Sequence, residues 1–268
     1  MRLQNKNLRL VAIAMCKNEE AILEKWLQRT SEFSDGIIVI DDGSTDNSFK
    51  MLKANKKVKH IIKHEPGGPM EARKSRNKLF DAVREFGGEW TIILDIDEIM
   101  DIRLADHLDN LLNNPRVGQI YFKEISLWRN NKQYRIDKPD MYNRQRTMCQ
   151  ILRMNKNLKW VPSYPYTLKH RLRMLLQKGK YLPVPPNGYM KLRGLVGETL
   201  DLSELVKIHY HFADWEKVWW THLRYAVRES IQLKKNLKDV PEIVDWATLR
   251  LNEEGLELAP VKPEWGVL

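Results

Sequence analysis

Residues 90–98 are Trp90-Thr-Ile-Ile-Leu-Asp95-Ile-Asp97-Glu98, a β-branched apolar run that ends in acidic residues. Such a run is typical of a buried β-strand. Side chains alternate between the two faces of a strand, so Asp95 and Asp97 should point the same way and Ile96 into the protein. Two oxygen ligands that emerge together suit Mg²⁺ or Mn²⁺. The stretch predicts a divalent-metal site or, as the simpler alternative, a solvated acidic turn.

Strands and helices alternate along the first hundred residues. Apolar runs predict strands over 8–15, 36–41, 58–63 and 90–94. Helical spacing of apolar residues predicts helices over 19–33, 44–53 and 70–86. Strands that are apolar on both faces and separated by helices indicate an α/β fold with a mostly parallel sheet flanked by helices. Ligands bind such sheets at the carboxyl ends of the strands, and the acidic residues fall at those ends.

The pattern loosens after residue 101. It predicts a short helix over 104–112, a strand over 118–122, a hairpin made of 150–154 and 158–161, a strand over 206–212 and a long helix over 215–237. No internal repeat, low-complexity tract or flexible linker is evident, so we expect one compact unit.

Composition limits the possible classes of protein. The chain has 268 residues, 43% of them hydrophobic, and a net charge of +10, which attracts polyanions such as nucleotide phosphates, an anionic membrane face or nucleic acid. Cys16 and Cys149 are far apart and lack metal-ligand spacing, which favours reduced thiols. The N-terminus lacks the apolar core of a signal peptide and no apolar run has membrane-spanning length, so we expect a cytoplasmic protein.

A second acidic segment, Asp41-Asp42-Gly43-Ser44-Thr45-Asp46, follows the second predicted strand. Glycine permits a tight turn there, and a carboxylate can accept hydrogen bonds from a base N–H or a ribose hydroxyl. A well-capped turn would explain Gly43, Ser44 and Asp46 without any ligand. It explains less well why two like charges stand side by side at the ligand-binding edge of the sheet.

Four segments together resemble glycosyltransferase family 2: Ala14-Met-Cys-Lys-Asn-Glu19, residues 41–46, Ser75-Arg76-Asn77 and residues 94–97. The resemblance implies the Rossmann-like GT-A fold, a nucleotide-sugar donor, by default UDP-linked, and Mn²⁺ or Mg²⁺ as cofactor. It implies metal binding by Asp97, with Asp95 at the ion or the ribose. The implied nucleotide contacts are Ala14, Glu19, Asp41, Asp42, Arg76 and Asp95.

The second half is similar to bacterial lipopolysaccharide-core and polysaccharide members of that family over residues 146–160. Those members continue to a His-Glu pair, whereas this chain has Val161-Pro-Ser-Tyr-Pro-Tyr, so the role of the pair does not transfer. Ile208-His209-Tyr-His211-Phe resembles the late His-Tyr strand of the same enzymes. This implies that His209 first, or else His211, completes the metal or diphosphate site, although a histidine on a strand is more often simply packed.

Family 2 enzymes typically invert the anomeric carbon, which requires a carboxylate to accept the proton of the acceptor hydroxyl. The candidates are Glu198, Asp201 and Glu124, each of which could instead be a cap or a surface charge. We expect residues 1–125 to form the nucleotide-sugar-binding half. Residues 126–268 would form the acceptor-binding half and end in a helical segment.

The expected acceptor is a glycan, a lipid-linked molecule or another hydroxyl compound, and the basic run 169–178 could attract an anionic acceptor or bring the protein to an anionic membrane face. Two alternatives remain. A haloacid-dehalogenase-like phosphotransferase also places Asp-x-Asp after a strand, but near the start of the chain. A basic nucleic-acid-binding protein could stack bases on Trp128 and Trp160, but should carry one positive stripe with few acids.

Overall fold

The computed structural model describes residues 8–64, 72–137, 151–162, 190–214, 218–220 and 253–267. The predicted basic run 169–178 and Cys149 lie outside the described residues, as does all but 218–220 of the predicted helix 215–237. No helix within the described residues is long and apolar enough to cross a membrane.

The first half contains the strand–helix alternation that the sequence predicts. Its elements are β1 (Leu8–Cys16), α1 (Glu20–Phe33), β2 (Gly36–Asp41), α2 (Ser48–Ala54), β3 (Val58–Lys63), α3 (Ala72–Glu85) and β4 (Gly88–Ile93). Helix α2 begins four residues later than predicted, because residues 44–47 form hydrogen bonds outside the helix, including one from the backbone N–H of Ser48 to Asp46 (2.9 Å).

The second half adds shorter strands and one helix. Its elements are β5 (Glu98–Met100), α4 (Leu104–Asn113), β6 (Val117–Ser126), β7 (Gln133–Arg135), β8 (Ile151–Arg153), β9 (Lys159–Pro162), β10 (Met190–Arg193), β11 (Glu198–His209), β12 (Leu258–Pro260) and a 3-10 helix (Pro263–Trp265).

Eight strands form one sheet in the order β3-β2-β1-β4-β8-β6-β11-β5. Strands β3, β2, β1 and β4 run parallel to one another, and β6 runs parallel to β11. Strand β8 runs antiparallel between β4 and β6, and β5 runs antiparallel on the edge beside β11. Four of the seven pairings are therefore parallel, which confirms the predicted mostly parallel α/β sheet.

The predicted hairpin of 150–154 and 158–161 is wrong. Strand β8 lies inside the main sheet, whereas β9 pairs with β10 in a separate two-stranded sheet. Leu152 is fully buried between β4 and β6, and Trp160 stacks on Phe80 of α3 with ring centroids 6.4 Å apart. The two apolar runs thus indicated burial correctly, but apolar character does not specify which strand will be the partner.

Both faces of the sheet are covered by helices. Along β1, Ala12 faces the core cluster that contains Trp26 of α1, and Ile13 faces the cluster that contains Phe80 of α3. The alternation along one buried strand thus supplies two cores. The carboxyl ends of β1, β2 and β4 remain as the shared edge at which the predicted site residues gather.

Candidate active site

The acidic segment predicted at the end of β4 is a turn rather than a continuation of the strand. Strand β4 ends at Ile93, and residues 95–98 fold back, with the N–H of Glu98 donating to the carbonyl of Asp95 (2.9 Å). The side chain of Glu98 in return accepts the N–H of Asp95 (3.1 Å). Ile96 is buried as predicted. The two aspartates consequently face different partners instead of lying side by side.

Asp97 faces two histidines at the end of β11. Its Oδ2 lies 3.3 Å from Nε2 of His209 and 3.5 Å from Nδ1 of His211. One ligand atom from each of these three residues lies within 4.8 Å of the other two. A carboxylate and two imidazoles at this spacing could hold a divalent transition metal. Among the described residues this is the one such group, and it does not include Asp95.

Electrostatics couple Asp97 and His209. Burial disfavours the charged form of each, but their mutual attraction outweighs it. The pKa of His209 is raised to about 10, chiefly by Asp97 against the effect of burial, with Glu124 contributing. The pKa of Asp97 lies well below its ordinary range, because His209 and His211 overcome the effect of its burial. The cluster therefore favours a positive charge, which the proton on His209 supplies in the metal-free chain and which a metal ion would have to displace.

A buried cation lies behind this cluster. Lys207 of β11 forms ion pairs with Glu98 of β5 and with Oε2 of Glu124 on β6 (2.8 Å). Oε1 of Glu124 lies 3.7 Å from Nδ1 of His209. Burial disfavours the charged carboxylate of Glu124, but His209 and Lys207 hold its pKa far below the ordinary range. Glu124 is therefore a permanent anion at neutral pH.

Asp95 lines a shallow cleft at the ends of β1 and β4. Its Oδ2 lies 3.8 Å from the guanidinium of Arg76, which in turn lies over the ring of Trp160 at 5.6 Å. The buried Nε of Arg76 and Nε1 of Trp160 have no hydrogen-bond partner in the described part of the chain. Both atoms are buried, whereas Arg76 as a residue lines the cleft and gives it a positive charge, which suits an anionic ligand. Its lining residues are Ile13, Ala14, Met15, Arg76, Leu79, Ile93, Asp95 and Trp160.

Two basic side chains contact the acidic turn that follows β2. The carboxylate of Asp42 contacts Nζ of Lys17 (3.0 Å) and Nδ1 of His64 (2.8 Å), and the Lys17 cation offsets its repulsion from Asp41. Asp41 is buried and accepts the N–H of Ser44 (3.3 Å). Gly43 has a φ of 71°, the left-handed conformation that glycine adopts without strain.

Reciprocal hydrogen bonds join this turn to the loop after β1. The side chain of Asn18 accepts the N–H of Thr45 (2.8 Å), and the hydroxyl of Ser44 accepts the N–H of Asn18 (3.1 Å). The hydroxyl of Ser48 accepts the N–H of Glu19 (2.8 Å), at the first turn of α1. The loop after β1 and the turn after β2 therefore form one preorganised surface at the carboxyl edge of the sheet, hereafter the wall.

The family model described as Glycosyl transferase family 2 matches residues 12–179, more than half of the chain. The chain belongs to glycosyltransferase family 2. The α/β fold of the GT-A type and the glycosyltransferase class, both predicted from the resemblance of residues 14–19, 41–46, 75–77 and 94–97, are confirmed. No curated protein sequence matches the chain.

Solved structures resemble this glycosyltransferase at low sequence identity. S. aureus TarS 1-349 is 14% identical with a TM-score of 0.44, and the match covers 82% of this chain and 64% of TarS 1-349. Glucosyl-3-phosphoglycerate synthase from Mycobacterium tuberculosis, in complex with Mn²⁺, UDP and glucosyl-3-phosphoglycerate, is 18% identical with a TM-score of 0.33 and 44% coverage of each chain. The mannosyltransferase PcManGT from Pyrobaculum calidifontis, in complex with GDP-Man and Mn²⁺, is 15% identical with a TM-score of 0.43, covering 91% of this chain and 70% of that one.

The structure brings most of the predicted site residues of this family 2 glycosyltransferase to one edge. Asp97 lies beside His209 and His211, Glu124 lies beside His209, and Asp95, Arg76 and Ala14 line the cleft. Asp41, Asp42 and Glu19 lie in the wall formed by the first two loops.

Glu198 and Asp201 do not join them. They lie at the start of β11, opposite Val117 and Tyr121 of β6, whereas His209 lies opposite Ser126. We count residues along β6, the parallel partner, at ~3.3 Å each. The distance from His209 along the strand is then about 17 Å for Asp201 and about 30 Å for Glu198. Strand β11 is much longer than the predicted strand 206–212 and carries both residues away from the site. This distance removes the geometric basis for a catalytic role of either residue beside Asp97.

Sequence reasoning did not assign to this site several residues that the structure places there, namely Lys17, His64, Glu98, Trp160 and Lys207. A signal existed for two of them: Lys207 is a charge within the apolar run Val206-Lys-Ile-His, and His64 directly follows β3. Trp160 becomes visible only because β9 packs on α3, which no local pattern indicates.

Proposed function

We propose that this chain transfers a sugar from a nucleotide-sugar donor to a hydroxyl group of a glycan or lipid-linked acceptor, with a divalent cation bound at Asp97. The proposed donor is a UDP-linked sugar. One observation carries the proposal: the Asp97–His209–His211 cluster lies at the same sheet edge as a cleft lined by the cation of Arg76 and by Trp160. In a family 2 glycosyltransferase, this pairing of a cation site with an anion-accepting cleft suits a nucleoside diphosphate.

The donor set favours Mn²⁺ over Mg²⁺, because imidazole nitrogen suits transition metals whereas Mg²⁺ prefers an all-oxygen shell. Asp97, His209 and His211 would hold the ion. When bound, it would neutralise charge on the departing nucleoside diphosphate. We assign Asp95 to the donor rather than to the ion, because it faces Arg76 and the cleft.

The nucleotide contacts follow from the wall and the cleft. Asp41, Asp42 and Glu19 would face the nucleoside, and their hydrogen-bonded loops would hold it without reordering. Ala14 offers little side-chain bulk where the cleft meets β1, which leaves room for the donor. Arg76 would donate to the diphosphate or the base through its planar guanidinium.

On the acceptor side we propose inversion at the anomeric carbon and a role for residues 126–268 in holding the acceptor, as in polysaccharide biosynthesis. Glu124 is the one candidate base at the cluster, but a carboxyl with so low a pKa holds its proton poorly. We therefore place Glu124 as a partner of His209 rather than as the base. We also propose that the protein acts in the cytoplasm and that its basic run 169–178 contacts an anionic membrane face.

Membership in glycosyltransferase family 2 argues against the two alternatives that the sequence left open, a haloacid-dehalogenase-like phosphotransferase and a nucleic-acid-binding protein. The acids at the strand ends support the same choice, because nucleic-acid phosphates would be repelled there.

The test is thermal unfolding of the chain with UDP, GDP, CMP and dTDP, each with Mn²⁺, Mg²⁺ or EDTA. Ligand at about 100 times its Kd should stabilise the fold by about 2.7 kcal/mol, which raises Tm by several degrees. We expect Asp97→Ala to lose the Mn²⁺-dependent part of this shift, while Asp106→Ala, an exposed aspartate on α4, retains it. An undiminished shift in Asp97→Ala would remove the metal role.

A further inference from the structure

Lys207, Glu98 and Glu124, hereafter the Lys207 triad, form a layer of buried charge across three adjacent strands. Lys207 is 2% exposed and each glutamate 8% exposed. Strand β11 lies between β6 and β5, so Lys207 reaches a glutamate on either side, and it stands opposite Glu124 in the β6–β11 ladder. The layer follows directly from the strand order.

Stability alone is a poor reason for this layer. Each buried ion costs several kcal/mol of desolvation, and well-packed apolar residues often replace buried ion pairs at no loss of stability. The neighbouring positions on the same face of the sheet are apolar, for example Met100, which pairs with Lys207, and Phe122, and both are buried. A set of apolar side chains would therefore serve a structural core at least as well.

One arm of the triad holds the 95–98 turn. Glu98 pairs with Lys207 through Oε1, while its Oε2 accepts the backbone N–H of Asp95 (3.1 Å). The backbone of Asp97 is fixed from the other side, since its carbonyl accepts the N–H of Tyr210 (2.8 Å). Lys207 thereby restricts the side chain on which the conformation of the turn depends.

The other arm faces His209. Glu124 is held by Lys207 through Oε2, and its Oε1 lies 3.7 Å from Nδ1 of His209, whose Nε2 faces Asp97. A carboxylate behind an imidazole commonly fixes the ring and directs its other nitrogen toward a metal. One cation is thus linked to both the carboxylate and the imidazole of the candidate metal cluster.

We propose that the Lys207 triad is a positioning unit that sets the 95–98 turn and the ring of His209 in one arrangement, so that Asp97 and His209 converge on a divalent cation. The inference rests on the proposed function, because it concerns the same cation site. Lys207 touches no reacting atom and acts through Glu98 and Glu124.

The test compares Lys207→Met with wild type by Mn²⁺ titration, followed by electron paramagnetic resonance, and by urea unfolding. Loss of partners behind a metal ligand typically lowers affinity ~10–100-fold, and we expect a loss in that range. The control is Arg29→Met, which removes another buried cation, paired with Glu32 (3.0 Å) and the carbonyl of Gly266 (2.8 Å) away from the cluster. It should lower stability and leave the Kd for Mn²⁺ unchanged.

Lys207→Met leaves two buried anions without their cation and could unfold. The variant Lys207→Met/Glu98→Met/Glu124→Leu avoids this, because no charge of the triad remains buried. We expect it to fold and still to bind Mn²⁺ ~10–100-fold more weakly than wild type. Wild-type affinity in a folded single or triple variant would overturn the inference. A wild-type chain that binds no Mn²⁺ would instead contradict the proposed function itself.

Discussion

Nε2 of His209 lies 3.3 Å from Oδ2 of Asp97, although 112 residues separate them along the chain. The approach follows from the edge of the sheet, where β5 begins directly after Asp97 and pairs antiparallel with the end of β11. This pairing sets His209 opposite Glu98, one residue from Asp97. The proposed cation site therefore lies where the start of β5 meets the end of β11.

Both histidines should contribute to cation affinity. We expect His209→Ala and His211→Ala each to weaken Mn²⁺ binding by at least about 10-fold in a calorimetric titration, because each removes a nitrogen near the carboxylate of Asp97. His107→Ala, on the exposed side of α4, is the matched control and should bind as wild type. If His211→Ala also binds as wild type, the ion is held by Asp97 and His209 without it.

The Asp97–His209 pair should make the stability of the metal-free chain depend on pH. The pKa of His209 is raised from 6.5 to about 10, so the folded chain holds this proton more tightly than the unfolded chain. Its stabilisation is fully present below pH 6.5 and is lost as pH rises toward about 10. In urea unfolding with EDTA, wild type should lose more stability over this range than His209→Gln. Parallel profiles for the two proteins would contradict the coupling.

Arg76 should be irreplaceable by lysine. Its guanidinium lies over Trp160 and near Asp95, and lysine would keep the charge but lose the planar fork. A hydrogen bond to a charged group contributes about 1.5–3 kcal/mol, so Arg76→Lys should weaken UDP binding roughly 10–100-fold. Arg84→Lys, two turns further along α3, should leave the Kd for UDP unchanged. Equal effects of the two substitutions would indicate a loss of helix packing rather than a ligand contact.

Cys16 should not react with thiol reagents in the folded protein. It is fully buried, and burial raises the pKa of its thiol to about 12, which leaves almost no thiolate at neutral pH. The Cys149→Ser variant should therefore resist dithionitrobenzoate at pH about 8 and react only after unfolding in urea. Rapid reaction of the native variant would show that the β1 end opens. The Cys16→Ser variant gives the separate rate of Cys149.

Local patterns predicted the parts of the fold that depend on local physics. The strands and helices of the first half, and the burial of Ile96, follow from apolar periodicity, which each segment carries in its own sequence. The gathering of Asp97 with His209 was anticipated only through family resemblance, because pairing of β11 with β5 is a long-range contact.

The remaining errors share one cause. Strands β8 and β9 pair with other strands instead of with each other, and β11 is long enough to separate Asp201 from His209. Both features depend on which strands become neighbours in the sheet. Lys207 was overlooked for the same reason, since its charge is compensated by Glu98 and Glu124 on strands distant in sequence. Pairing energies are similar among apolar strands, so sequence periodicity does not rank the partners.

The most direct measurement is an anomalous difference map, recorded at the manganese absorption edge, from a crystal soaked with UDP and Mn²⁺. We expect a single strong peak in bonding contact with Asp97 and His209, and UDP density in the cleft beside Arg76. Density for UDP with no manganese peak at Asp97, or a peak elsewhere on the chain, would contradict the account.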